Sequence, residues 1–225
     1  MVDLILYDVT WRKRFVYVIR ACVYIVIISL VLLGFAVNLE QNKKYTTGIY
    51  NEYISVYGEV GHNEIKALKK ELTKVPDWLL EEFVNEECRI LVSSTPLRDI
   101  KERYYGQNDY KNQTIGLHAV RNGTVEIWVY GSPQAIEAAT LHEFGHYLDR
   151  ISSYSSKTDA FLQIYEQEKY NFIEVCEGEY YISSASEYFA ECFRWYLNNP
   201  RSLKKNCLQT LYYLDNLISL LQMFL

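Results

Sequence analysis

Residues 21–37 read ACVYIVIISLVLLGFAV, 17 residues without a charge, and no other feature limits what this chain can fold into so sharply. A run with no polar face needs apolar surroundings on every side, which a half-buried surface helix does not have. Extended back to Phe15, it crosses only Arg20, whose stem can snorkel toward lipid headgroups. A helix over 15–37 is long enough to span a hydrocarbon core of about 30 Å. Arg12, Lys13, Arg14 and Arg20 on its N-terminal side outweigh Lys43 and Lys44 after it. That asymmetry puts the N-terminus in the cytoplasm and the rest of the chain outside the cell membrane. A cleaved signal peptide is the rival reading, with Gly34 and Ala36 as the small residues before a cut after Ala36. The expected organisation is a cytoplasmic tail (1–14), a transmembrane anchor (15–37), a tether (38–61) and a folded domain (62–225).

The chain carries 23 basic and 28 acidic residues, a net charge of −5, which excludes the broad basic surface of a nucleic-acid binder. Cys88, Cys176, Cys192 and Cys207 fit no CxxC spacing, so they read either as one or two disulfides or as small buried hydrophobes. Periodicity predicts a helix over 63–75, with Ile65, Leu68, Leu72 and Val75 on one face and Pro76 as its stop. Asp77 can cap a short helix over 78–84, and 88–92 (CRILV) reads as a strand. A helical turn follows Pro96, and 107–112 is a polar loop. Two β-rich runs, 114–120 and 124–130, flank Arg121-Asn122-Gly123 as a hairpin. Beyond Gly131 the pattern is helical to the end. These readings give an α+β chain with a small β-sheet and a helical C-terminal half.

The chemistry gathers on the first of those later helices. Ser132 is a good N-cap and Pro133 suits the first helical position. The helix carries His142-Glu143-Phe144-Gly145-His146. Histidines at i and i+4 share a face and can converge on one metal, while Glu143, turned about 100° away, stands beside it. Such a carboxylate can take a proton from a metal-activated water. No histidine follows His146, so a third protein ligand must be a carboxylate. Glu187 and Glu191, one turn apart, are the candidates: one can bind metal while the other braces a ligand histidine. Ser184 and Glu187 also have capping-box spacing, which would employ Glu187 in its own helix. Gly145, costly inside a helix, points to close packing against a neighbour.

HEFGHYLD, followed about forty residues later by EYFAECF, resembles the anthrax lethal factor-like zinc metallopeptidases, which include the secreted Pro-Pro endopeptidases. The likeness covers 65–225, with its motifs at 142–149 and 180–193. It implies a zincin-like domain holding one Zn2+ per chain and acting on protein or peptide substrates. It further implies that His142, His146 and Glu187 are the ligands, that Glu191 lies behind them, and that Glu143 and Tyr180 are catalytic, with Tyr181 adjacent to Tyr180. The strand over 124–130 is the expected edge strand for an extended peptide, with Trp128 and Tyr130 lining the groove. His118 reads as a packing residue. The competing reading is a catalytically silent zinc-binding module at the cell surface, which an assay of peptide cleavage separates from an enzyme.

Overall fold

The structure, a computed structural model, describes residues 2–41, 43–45, 47–105, 115–121, 123–173, 176 and 178–225. It divides into an N-terminal unit ending at Lys43 and a compact unit from Lys44 to Leu225. The first is a helix, α1 (Val2–Gln41). Its stretch Val18–Val37 has a mean hydropathy of 2.6 and buries none of its residues, so it is long and apolar enough to cross a membrane. The side chains of Arg12, Lys13 and Arg14, on which the expected orientation leans, lie outside the described residues.

The second unit starts earlier than expected. The stretch taken as a tether, 38–61, contributes β1 (Lys44–Tyr45), β2 (Gly48–Ile49), β3 (Ile54–Tyr57) and β4 (Val60–Gly61). Its polar residues masked three buried positions, Ile54, Val56 and Val60, that alternate into the core. Next come α2 (His62–Leu72), α3 (Asp77–Asn85), β5 (Arg89–Ser93), α4 (Leu97–Tyr105), β6 (Gly116–Arg121) and β7 (Thr124–Tyr130). Asp77 is the first residue of α3 rather than its cap, a place held by Pro76. The polar loop expected over 107–112 lies outside the described residues.

The main sheet has the order β2-β3-β5-β7-β6. Strands β3, β5 and β7 run parallel, while β2 and β6 pair antiparallel at the two edges. The strand 124–130, expected at the edge, is therefore interior, and β6 is the edge on that side. Both follow from the connections: β6 and β7 form a hairpin, with Arg121 opposite Thr124, so β7 is left with a second edge for β5. Gly123, at φ +84°, supplies the left-handed residue that this tight turn requires.

One face of the sheet packs Ile54, Val56, Ile90, Val92, Val125, Ile127 and Val129 into the main core with α2, α3 and α5 (Pro133–Ile151). The other face carries Trp128, 1% exposed, against Leu97 and Ile100 of α4, with Tyr57, Leu91, Leu117 and Tyr130 around it. The helical half adds α6 (Asp159–Ile173), a short 3-10 turn at Glu179–Ile182, α7 (Ala185–Asn198), α8 (Pro200–Asn206) and α9 (Leu208–Phe224). Phe161, Phe172, Tyr188 and Phe189 join α6 to α7 through ring contacts of 5.2 to 6.0 Å. Glu168 of α6, buried, accepts from the backbone N–H of Gln209 and Thr210 and caps α9 from a distant part of the chain. Cys88, Cys176, Cys192 and Cys207 are buried free thiols, as packed hydrophobes would be.

Candidate metal centre

α5 is positioned at its start by Ser132, whose hydroxyl accepts from the N–H of Ala135. Ten residues on, His142 and His146 stand one turn apart with ring centroids 4.9 Å from each other. α7 crosses α5 at Gly145. A Cβ there would lie 2.6 Å from both Cα and O of Ala190, so the missing side chain is what allows the two helices to touch. This contact carries Glu187 and Glu191, on either side of Ala190, up to the histidines.

Glu187 Oε2 lies 3.1 Å from His142 Nε2 and 3.6 Å from His146 Nε2. The donor atoms of His142, His146 and Glu187 all fall within 4.8 Å of one another, a group able to hold a metal ion. The capping-box alternative is only half realised: Ser184 accepts from the N–H of Glu187, but the Glu187 carboxylate faces the histidines. Glu191, fully buried, places Oε2 3.0 Å from His142 Nδ1. His146 Nδ1 has Ser186 Oγ at 3.4 Å.

The charges are interlocked. Burial alone would push His142 down, but hydrogen bonds to Glu187 and Glu191 and the charges of Glu143 and Glu191 lift it to about 10. Burial would raise Glu187, yet the hydrogen bonds from His142 and His146 hold it well below the usual carboxylate range. Glu143 is raised: burial outweighs the opposing charges of His142 and His146 and of Lys101 on α4. Its carboxylate lies against the edge strand, where a Cβ on Gly116 would come within 2.9 Å of its carboxyl carbon. His118, two residues further along β6, has its ring centroid 6.3 Å from that of His146.

Tyr180 and Tyr181 occupy the 3-10 turn before α7. Tyr180 is 52% exposed; partial burial first, then the charge of Glu187 and a hydrogen bond to it, raise its hydroxyl. Tyr181 instead sets its ring 5.5 Å from that of His142. The structure thus gathers His142, Glu143, His146, Tyr180, Glu187 and Glu191. It does not add Trp128, which is sealed under α4 with its indole N–H on Glu126, nor Tyr130, half-buried in the same cluster. Their alternation along β7 was correct, but a second helical layer covers the face that was expected to be open. Sequence reasoning missed Gly116, Lys101 and Arg194. Only Arg194 left a signal, its i+3 spacing from Glu191 on one helix face.

A mixed sheet with an antiparallel edge strand, set over a helix whose two histidines meet a carboxylate from a second helix, defines a zincin-like fold. The chain belongs to the anthrax toxin lethal factor family, described as "Anthrax toxin lethal factor, N- and C-terminal domain", whose profile matches residues 38–217. Among solved structures it is similar to the Pro-Pro endopeptidase from Paenibacillus alvei. The TM-score is 0.57 at 22% identity, covering 74% of this chain and 97% of that one, a likeness of fold. No curated protein matches the chain.

Proposed function

We propose that this chain is a zinc metalloendopeptidase held at the outer face of a cell membrane by α1. The observation that carries this reading is the convergence of His142, His146 and Glu187 on one point, with buried Glu143 beside it. A tetrahedral zinc with bonds near 2.0–2.1 Å sets neighbouring donors about 3.3 Å apart. The 3.1 and 3.6 Å separations from Glu187 Oε2 to the two histidine nitrogens bracket that value. Two imidazoles and one carboxylate, with a fourth position left for water, are the donor set of a catalytic rather than a structural zinc.

Zinc, when bound, polarises the scissile carbonyl and brings the pKa of a water toward about 7. Glu143 accepts the proton of that water and hands it to the leaving amine. Its raised pKa suits a group that must hold a proton for part of the cycle. Tyr180, exposed yet linked to Glu187, donates its hydroxyl to the oxyanion. Glu191 accepts the outer N–H of His142 and keeps Nε2 turned to the metal. The side of β6 that no strand covers among the described residues lies next to Glu143 and offers main-chain hydrogen bonds to an extended peptide. The P. alvei neighbour is named for Pro-Pro cleavage, so proline-containing peptides are the first substrates to try.

The full chain in detergent should cleave members of a peptide library, lose activity to a chelator and regain it with zinc. Glu143→Gln should keep its zinc and lose about 10²- to 10⁴-fold in turnover, the usual worth of a general base. Glu187→Ala should come off dialysis without metal. Near-normal turnover in Glu143→Gln would refute the mechanism.

A further inference from the structure

Glu191 is held by more than the histidine. Arg194, one turn further along α7, sets its Nε 2.9 Å from Oε1 and 3.0 Å from Oε2, and its Nη2 also donates to Oε1. The indole N–H of Trp195 reaches Oε1 at 3.2 Å. The guanidinium carbon lies 5.6 Å from the Trp195 ring centroid, so the fork is backed by an aromatic side chain. The Glu191 side chain is 0% exposed and that of Arg194 21%. An ordinary Glu–Arg pair at i, i+3 sits in water and fixes little. Here the carboxylate is buried away from water, and both of its oxygens are engaged by Arg194, Trp195 or His142.

We propose that Arg194, with Trp195 beside it, is a positioning residue of the metal centre. By clamping both oxygens of Glu191, it fixes the plane in which that carboxylate receives His142 Nδ1–H, and through it the direction of His142 Nε2. The proposal rests on the reading that His142, His146 and Glu187 bind zinc. The planar guanidinium is what fits the role, since two of its N–H groups hold the carboxylate from one rigid plane, whereas a lysine in its place carries the charge on a single nitrogen at the end of a flexible stem. Arg194 touches neither metal nor substrate, and its whole effect passes through Glu191. Trp195 donates one bond to the oxygen that does not face His142, so its contribution is the smaller.

The test is zinc affinity, measured on the full chain in detergent by competition with a chelating dye, together with the visible absorption of the cobalt(II)-substituted protein. Arg194→Met should bind zinc more weakly, by at most the 10- to 100-fold that losing Glu191, the outer partner of a metal ligand, would cost. Arg194→Lys should lose less, and both should shift the cobalt bands. In a Glu191→Ala background, Arg194→Met should change zinc affinity by less than twofold, because the path through Glu191 is already cut. Zinc affinity and cobalt bands like those of the unaltered protein, in an Arg194→Met protein that merely melts earlier, would make the arginine structural only and overturn the proposal. If Arg194→Met does not fold, Arg194→Lys decides on the same two readouts. Failure of the unaltered chain to take up zinc would remove the metal reading itself, an outcome distinct from equal binding by all variants.

Discussion

His142 carries two assignments at once, because its two nitrogens face different carboxylates: Nε2 toward Glu187 and Nδ1 toward Glu191. Helical spacing placed both glutamates on one face and left either able to reach a metal; the separate nitrogens they face support the proposed roles of Glu187 as ligand and Glu191 as brace. His118 is a different case, a histidine with buried Nε2 and no hydrogen-bond partner for it among the described residues. Burial first, then the charges of His146 and Arg150, hold it at about 4, against 6.5 in the unfolded chain. The folded state therefore binds fewer protons than the unfolded state between those values. Its contribution is present above pH 6.5 and is lost as pH falls toward 4. At about 1.4 kcal/mol per unit, the loss in the metal-free protein is on the order of 3 kcal/mol. His142, raised to about 10, acts in the separate window from 6.5 upward, where rising pH removes stability. Urea unfolding of the metal-free protein at pH 7, 5.5 and 4 should show this acid decline, and His118→Gln should flatten it. An equally steep decline in that variant would mean that other groups cause it.

At the level of elements, the join between α5 and α7 decides the site. Gly145 was legible as a close-packing position because glycine inside a helix costs about 1 kcal/mol relative to alanine. What it packs against was not legible, since Ala190 is distant in sequence and an ordinary helix residue. Gly145→Ala gains helix propensity but drives a Cβ into the backbone of Ala190, and overpacking of this kind costs about 1–3 kcal/mol. The variant should melt earlier than the unaltered protein and bind zinc more weakly, because α7 brings Glu187 to the histidines. A higher melting temperature with unchanged zinc affinity would show that the contact is not tight. Asp149 holds the end of the same helix in order. It accepts from the N–H and hydroxyl of Ser156, across a turn in which Ser153 and Tyr154 adopt φ of 58° and 62°. Neither the turn nor its anchor follows from local propensity, because both residues are disfavoured there.

For the whole molecule, the proposed topology has a direct check. Val18–Val37 meets the length and hydropathy of a membrane span, and the cations before it favour an inward N-terminus. External protease applied to intact cells making the full chain should remove the domain from Lys44 onward. Protection until lysis would reverse the orientation, and a product in the medium beginning near Val37 would mean a cleaved signal. The apolar run, the HExxH spacing, the ExxxE pair, the helix caps at Ser132 and Ser184 and the β6–β7 hairpin were all set by the sequence. Each depends on residues within a turn or two of one another, where backbone geometry fixes which side chains share a face. The edge position of β6, the burial of Trp128 under α4, the strands within 44–61, the distant cap of Glu168 on α9 and the clamp on Glu191 were decided by tertiary structure. Each of these depends on which surfaces meet when elements far apart in the chain pack. Local periodicity marks which face of an element is buried, and the partner that covers it is chosen by the fold as a whole.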